Sequence, residues 1–203
     1  MTYGQVRDQV LKLLNQYSVA GTLVPGSYNN QQDYLNRIPE LVNDAMVEIA
    51  TTARKIPATV RLSDMRSECT GQEVIYELPG DFYQFQSGSV VRTVEGRTLH
   101  TNSYATKGKN YLLVPARESG DYTITYYRYP YLLSSRPDDK DELDNAPETH
   151  YAVAFYVAAY LADYDDMALG ALLHNAYEDK LNKMQSAVFA EVRPVEDAYQ
   201  FFW

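Results

Sequence analysis

The feature that most constrains this chain is an uncharged run of twelve residues from Tyr151 to Ala162. A helix over this run is apolar on every side rather than along one stripe, so it has to be buried. The run is too short to cross a bilayer, which needs about 20 apolar residues. We therefore expect this helix to be buried inside protein.

A second helix is predicted after the acidic break 163–166, because apolar residues recur at helical spacing along 173–188 with charged residues on the opposite side. The aspartates of the break are interpreted as ending one helix and capping the next. The core residues that we predict for this helix pair are Tyr151, Phe155, Ala158, Leu161, Leu173, Tyr177, Leu181 and Met184.

Two further helices are predicted at the N-terminal end. Thr2 and Gln5 have the spacing of a capping box, and the apolar stripe that follows ends near Tyr17. A second stripe continues to about Ala53 and contains Pro39, which removes a backbone donor and clashes with the preceding turn. We expect either a kink just before this proline or a new helix beginning at it.

The segment from Pro57 to about Tyr131 has a period of two, which indicates antiparallel strands in a sandwich or a curled sheet. Within it, Gly80 to Phe85 is predicted to be a helical turn. Turn signals between strands occur at Glu95-Gly96, Lys107-Gly108-Lys109 and Ser119-Gly120-Asp121.

Together these patterns predict an α+β fold. It consists of a four-helix bundle, with two N-terminal and two C-terminal helices, an antiparallel β-rich insertion and an extended C-terminal tail. We assign residues 1–55 and 145–190 to the bundle and 56–131 to the insertion. Residues 132–144 form an acidic linker, and 191–203 form an interaction tail.

Composition narrows the classes of function. The net charge of −9 disfavours wholesale binding to DNA phosphates, which requires clustered Lys and Arg. Tyr accounts for 19 of the aromatic residues, and this side chain is enriched at protein interfaces. The single Cys69 cannot form an intrachain disulfide, and the first residues lack a signal-peptide pattern. We expect a soluble cytoplasmic product with no membrane segment.

Motifs for catalysis and for metal binding are not apparent. The acidic run 138–144 lacks the glycine and distal glutamate of an EF-hand, and the three histidines have no short metal-ligand spacing. Nucleotide-binding, hydrolase and kinase signatures are not found either. We predict no catalytic residue, no metal and no cofactor, although carboxylates recruited from distant strands would leave no sequence pattern.

The aromatic end of the chain is the sharpest candidate for an interaction site, because aromatic side chains are typical anchors of interfaces. The alternative is that this tail folds back onto its own domain. The residues predicted to dock on a partner are Val195, Tyr199, Phe201, Phe202 and Trp203.

Several short motifs resemble the head-to-tail adaptor, or connector, proteins of tailed bacteriophages. In the β-region the motif is Tyr76-Glu77-Leu78-Pro79-Gly80-Asp81-Phe82. The helical motifs are Asp33-Tyr34-Leu35 before Ile38-Pro39-Glu40-Leu41-Val42 within Tyr28 to Ala53, Pro147 and His150 with the YVAAYLA run, and Tyr177-Glu178 with Leu181 and Met184. The resemblance covers most of the chain.

The resemblance implies a non-enzymatic virion protein assembled in the cytoplasm of a bacterial host. It implies a homo-oligomeric ring, a dodecamer, that binds the portal protein and a downstream tail or nozzle protein. Double-stranded DNA would pass through the lumen of the ring without specific binding. Two alternatives stay open: a tail accessory protein with cell-wall hydrolase activity, and a tail completion or terminator protein.

Overall fold

Helix α1 begins where the capping-box spacing predicts it. The side chain of Thr2 accepts a hydrogen bond from the backbone N–H of Gln5, and the side chain of Gln5 accepts one from the backbone N–H of Thr2. Two of the N–H groups left open at a helix start are thereby satisfied. The predicted start of this helix is confirmed.

The computed structural model describes residues 1–15, 28–63, 68–70, 72–94, 97–101 and 103–191. Side chains are described throughout these ranges except at 28–31, 68–70, 87–89 and 186–191. The helices in these ranges are α1 (Tyr3–Leu13), α2 (Tyr28–Thr52), α3 (His150–Asp165) and α4 (Met167–Glu191). The strands in these ranges are β1 (Ile56–Leu62), β2 (Glu68–Thr70), β3 (Glu73–Glu77), β4 (Phe82–Val94), β5 (Arg97–His100), β6 (Ala105–Lys107), β7 (Tyr111–Pro115) and β8 (Asp121–Arg128).

The chain divides into two compact units. The helical unit comprises residues 1–54 and 133–203, and the β unit comprises residues 55–132. Each unit has its own hydrophobic core among the described residues.

Helix α3 is the centre of the helical unit, since α1, α2 and α4 all pack against it. Most of its side chains are buried, as the absence of charge from its sequence predicts, but Tyr151 and Tyr160 are exposed. A single residue, Asp166, separates α3 from α4. Its carboxylate accepts hydrogen bonds from the N–H groups of Ala168 and Leu169, at 3.1 and 3.0 Å. The predicted capping role is confirmed.

Helix α2 runs through Pro39, so no new helix begins at that residue. Ile38 and Val42, on either side of the proline, are fully buried in the core of the helical unit. Packing of this apolar stripe stabilises the helix across the missing backbone donor.

The β unit contains two four-stranded sheets, with strand orders β1-β8-β4-β5 and β2-β3-β7-β6. All of their described pairings are antiparallel. Buried residues of both sheets form one core, in which the rings of Tyr76 and Tyr122 meet edge to face at 5.4 Å. The Tyr76 hydroxyl also donates to the carbonyl of Gly120 at 2.7 Å.

The predicted four-helix bundle with a β-rich insertion is wrong, although the α+β class holds. In the described ranges, eight strands in two sheets build a large antiparallel domain with a core of its own. The helices surround α3 instead of sharing a common seam. The physical reason is that α3 is apolar on nearly every side, so it can bury a face against each of the other three helices.

The helical turn predicted at Gly80 to Phe85 is also wrong. The turn ends at Asp81, and β4 begins at Phe82. Phe82 stacks on Tyr126 of β8 at 5.6 Å and contacts Phe85 at 4.7 Å. Pairing with β8 therefore outweighs the local turn signal.

Of the three predicted strand turns, one lies at 95–96, outside the described residues. The turn at Gly108, where φ is +64°, joins the paired strands β6 and β7 as predicted. The prediction for 119–121 is wrong, because β7 and β8 belong to different sheets and this connection carries the chain between them.

Candidate assembly surfaces

The predicted tail residues Val195, Tyr199, Phe201, Phe202 and Trp203 lie outside the described residues, which end at 191. The described residues form surfaces on the helical unit and on the β unit.

The predicted core residues of α3 and α4 differ in their placement. Tyr151 is 56% exposed, and Phe155 is half-buried under the ammonium of Lys180, which lies 4.7 Å from its ring centroid. Met184 is partly buried against the core. The buried members of the set are Ala158, Leu161, Leu173, Tyr177 and Leu181.

A row of tyrosines connects α2, α3 and α4. The hydroxyl of Tyr177 on α4 donates to Oε1 of Glu48 on α2 at 2.7 Å. The ring of Tyr156 on α3 meets the Tyr177 ring edge to face at 5.3 Å and lies 4.6 Å from the ring of Tyr160. Burial raises the pKa of Tyr177, and the hydrogen bond to Glu48 raises it further. The phenol groups of this row therefore stay protonated, and their contacts connect the three helices.

Tyr156 behaves in the same way, because burial first and its hydrogen bond with Tyr160 second raise its pKa. Tyr160 also meets His174 edge to face at 5.1 Å, and Nε2 of His174 lies 2.9 Å from Oδ2 of Asp163. Gly170 allows the close approach of α4 to α3, since a Cβ at this position would lie 3.2 Å from the backbone nitrogen of Asp163.

The tip of the α3–α4 hairpin exposes apolar side chains. Tyr164 is 76% exposed, Met167 is 80% exposed and Leu172 is 67% exposed. An exposed apolar cluster of this kind is typical of an interaction surface. Sequence reasoning missed it, although Met167 and Leu172 lie off the buried Leu173 stripe and could have been noticed.

The acidic segment before α3 is hydrogen-bonded to the start of α1. The N–H groups of Tyr3 and Gly4 donate to the carbonyls of Asp141 and Asp139, at 2.7 and 3.1 Å. Arg7 forms ion pairs with Asp139 and, at 3.0 Å, with Asp8. Glycine is required at position 4, because a Cβ there would lie 2.9 Å from that of Asp139.

His150 is buried at the start of α3. Its Nε2 lies 2.9 Å from the carbonyl oxygen of Asn145, which can only accept, so Nε2 carries a proton and donates it. Burial lowers the pKa of the imidazole. The side-chain amide of Asn145 in turn donates to the carbonyl of Met46 at 3.1 Å. These contacts attach the start of α3 to α2.

Two lysine–tyrosine pairs lie at and just beyond the C-terminal end of β8. The ammonium of Lys55 lies 5.0 Å from the ring centroid of Tyr127 and donates to Oε1 of Gln84 at 2.9 Å. The ammonium of Lys109 lies 5.7 Å from the ring centroid of Tyr129 and donates to its hydroxyl at 3.1 Å. We define the lysine–tyrosine face as Lys55, Tyr83, Lys109, Tyr127 and Tyr129, because the Tyr83 ring meets that of Tyr129 at 5.2 Å.

The two units differ sharply in charge. The β unit contains nine Lys and Arg and eight Asp and Glu, whereas the helical unit contains nine and nineteen. The entire acidic excess of the chain therefore belongs to the helical unit, and the β unit carries one net positive charge. Among the described residues, no group of three or more His, Cys, Asp or Glu could hold a metal ion.

Residues 1–196 match the family model of the SU10 adaptor protein. The chain belongs to the SU10 adaptor protein family. The resemblance to phage head-to-tail adaptors is thereby confirmed. SU10 adaptors are structural proteins of the phage particle, so the chain is a virion component that contacts other head or tail proteins. No curated protein matches the chain. The helices in the described part of this adaptor are not long and apolar enough to cross a membrane.

Proposed function

We propose that copies of this adaptor form a ring, a dodecamer, that joins the portal of the phage head to the tail and extends the channel for DNA. The observation that carries the proposal is the family match over residues 1–196. The ring binds the portal protein on one side and a downstream tail or nozzle protein on the other. The protein acts by assembly and carries out no chemical reaction.

The surfaces of the helical unit support this function. Its tyrosine row fixes α2, α3 and α4 as one body, which a subunit under the load of a filled head requires. Its exposed hairpin tip, with Tyr164, Met167 and Leu172, offers apolar area to a partner. In a ring, one face of each copy meets a different face of the next copy.

The acidic balance of the chain supports passage of DNA. A surface that repels phosphate, or is indifferent to it, lets DNA slide, whereas a basic surface would retain it. The helical unit, with nineteen carboxylates against nine cations, is the part of the chain suited to line such a channel.

We propose that the aromatic tail, through Val195, Tyr199, Phe201, Phe202 and Trp203, docks on the portal or on the neighbouring subunit. Large aromatic side chains near the end of an acidic chain can anchor in apolar pockets of a partner. The segment 192–203 is long enough for this, since twelve extended residues span about 40 Å.

The experiment mixes the purified adaptor with portal protein and follows complex formation by negative-stain imaging. We expect rings stacked on the portal. Adaptor that remains monomeric with portal at every salt concentration would overturn the proposal. A variant lacking residues 198–203 is expected to lose binding. A second variant keeps the full length and replaces Tyr199, Phe201, Phe202 and Trp203 by Ser. Loss of binding in this variant too would assign the effect to the aromatic side chains and not to the length of the chain. Unchanged assembly of both variants would exclude the tail as the docking element.

A further inference from the structure

Tyr127 of the lysine–tyrosine face lies on the solvent side of its sheet. Along β8, Tyr122, Ile124 and Tyr126 are buried, so strand alternation directs Tyr127 to the opposite side. Tyr129 follows two residues later and continues this side, because its N–H still donates to the carbonyl of Asp81 next to β4. In extended backbone, Cα atoms two residues apart are separated by about 7 Å.

Among the described residues, the contacts of both lysines are with neutral groups. Within the described residues, neither Lys55 nor Lys109 forms an ion pair, and their ammonium groups contact tyrosine rings, a tyrosine hydroxyl and an amide oxygen. Arg61, at a β1 position that alternation also directs outward, is exposed. Asp121, at the far end of β8, is the carboxylate on this side of the strand. The face therefore has unneutralised positive charge held in place by aromatic rings.

The helical unit supplies a surface of opposite charge. Many of its carboxylates already have partners, such as Asp139 with Arg7 and Asp163 with His174. Glu40 is different: together with Asp44 it is exposed one turn apart on α2. Neither forms a hydrogen bond or an ion pair within the described part of the chain. Their Cβ atoms are about 6 Å apart, so the two carboxylates form one acidic edge of the helix.

We propose that the lysine–tyrosine face of one copy binds the Glu40 and Asp44 edge of α2 on a second copy. The proposal rests on the ring of the proposed function and specifies which faces of neighbouring copies meet. Opposite charges favour this contact, and the tyrosine rings provide contact area around the charges. The contact is heterologous, which is the type that closes a ring.

DNA is the less suitable ligand for this face. Proteins that bind duplex DNA neutralise several phosphates with clustered Lys and Arg, and the binding strength rises with that number. Here two lysines and Arg61 lie on one side of a chain with a net charge of −9. Two cations are enough to neutralise a pair of carboxylates, so the face suits the Glu40 and Asp44 edge better than it suits DNA.

The test measures self-association by sedimentation velocity over a range of concentrations, together with ring formation on portal. We expect Lys55→Glu/Lys109→Glu to weaken self-association about tenfold, with a loss of salt dependence. Lys107→Glu, an exposed charge reversal on β6 outside the lysine–tyrosine face, is the control and should leave association unchanged. Circular dichroism verifies that each variant is folded.

Charge exchange decides which face is bound. Glu40→Lys/Asp44→Lys should weaken association by itself and, combined with Lys55→Glu/Lys109→Glu, should restore it to within about threefold of wild type. If rings form on portal equally well with Lys55→Glu/Lys109→Glu, or if the combination restores nothing, the proposed contact is excluded while the ring stands. If wild type never forms rings, the proposed function itself fails. If Lys55→Glu/Lys109→Glu self-associates like wild type but no longer binds a duplex DNA probe that wild type binds, the face is a DNA contact instead.

Discussion

At the scale of single residues, the phenol groups of the helical core act as donors between helices. The Tyr177 hydroxyl joins α4 to Glu48 on α2, and its ring packs against Tyr156. A ring without the hydroxyl would keep the packing but leave the carboxylate without its donor. The contribution of the hydroxyl can therefore be separated from that of the ring.

Tyr177→Phe is expected to lower the free energy of unfolding by about 1 to 2 kcal/mol, because a hydrogen bond to a charged acceptor is lost while the ring contacts remain. Urea denaturation followed by circular dichroism measures the change. Tyr151→Phe, at an exposed position of α3, is the matched control and should stay within about 0.5 kcal/mol of wild type. Equal effects of the two substitutions would contradict a role for the hydroxyl.

A second residue-scale prediction concerns pH. Tyr126 is buried and donates to Oδ1 of Asp81 at 2.9 Å; burial first and this hydrogen bond second raise its pKa to about 12. The unfolded chain loses the same proton near pH 10. Between about pH 10 and 12 the folded state binds more protons, so the free energy of unfolding falls as pH rises and is unaffected by this group below pH 10.

The measurement is urea denaturation at a series of alkaline pH values. In Tyr126→Phe the fall of the free energy of unfolding with pH should be shallower than in wild type, by up to about 1.4 kcal/mol per pH unit. The pKa values of other buried tyrosines, such as Tyr156 and Tyr177, are raised as well, so these residues still contribute to the pH dependence of stability in the variant. Identical slopes in variant and wild type would show that Tyr126 ionises equally in both states.

At the scale of elements, the α3–α4 hairpin depends on the close approach at Gly170. In an open helix, Gly→Ala stabilises by up to about 1 kcal/mol. Here the new Cβ would collide with the side chain of Asp163 and approach its backbone nitrogen to 3.2 Å. Packing at this position should therefore make Gly→Ala destabilising, where it usually stabilises a helix.

Gly170→Ala is expected to lower the free energy of unfolding by about 1 to 3 kcal/mol, through overpacking and loss of the contact between Asp163 and His174. Thermal and urea unfolding measure it. Gly80→Ala, at an open position with nothing within 4 Å of the added Cβ, is the control and should be neutral or slightly stabilising. A stabilised Gly170→Ala would mean that the helices are farther apart in solution.

At the scale of the whole molecule, charge is distributed unequally between the units. The helical unit carries ten more carboxylates than cations, whereas the β unit is nearly balanced. Repulsion among like charges destabilises a compact state and is screened by salt. The helical unit should therefore respond to salt more strongly than the β unit does.

The free energy of unfolding, followed by the helical signal in circular dichroism, is expected to rise with added NaCl. In Glu40→Gln/Asp44→Asn the free energy of unfolding should increase less with NaCl than in wild type. The variant lacks a like-charge pair one turn apart, whose repulsion is about 0.2 to 0.5 kcal/mol. Hydrogen exchange in the strands of the β unit should change less than in the helices. Stability that falls with salt would contradict the role of self-repulsion.

Sequence patterns located most elements but not their arrangement. The capping box at Thr2, the capping Asp166 and the burial of most of α3 follow from local spacing, and all are found in the structure. The strand at Phe82 and the crossing between sheets at 119–121 do not follow from it. Strand pairing joins residues far apart in the chain, so local propensity cannot specify it.

The same limit applies to the candidate surfaces. Lys55, Lys109 and Tyr129 are distant in sequence, and only the pairing of strands and the β6–β7 turn bring them to one face. The alternation of tyrosines at 127, 129 and 131 was the one local signal for it.

By itself the sequence determined where most helices and strands form, that the helix over Tyr151 to Ala162 must be interior, and which family the motifs resemble. The tertiary structure alone decided that α3 is surrounded by three helices and that eight strands build a separate core. The physical reason is that periodicity encodes which side of an element is apolar. Which partner covers that side depends on packing between elements distant along the chain.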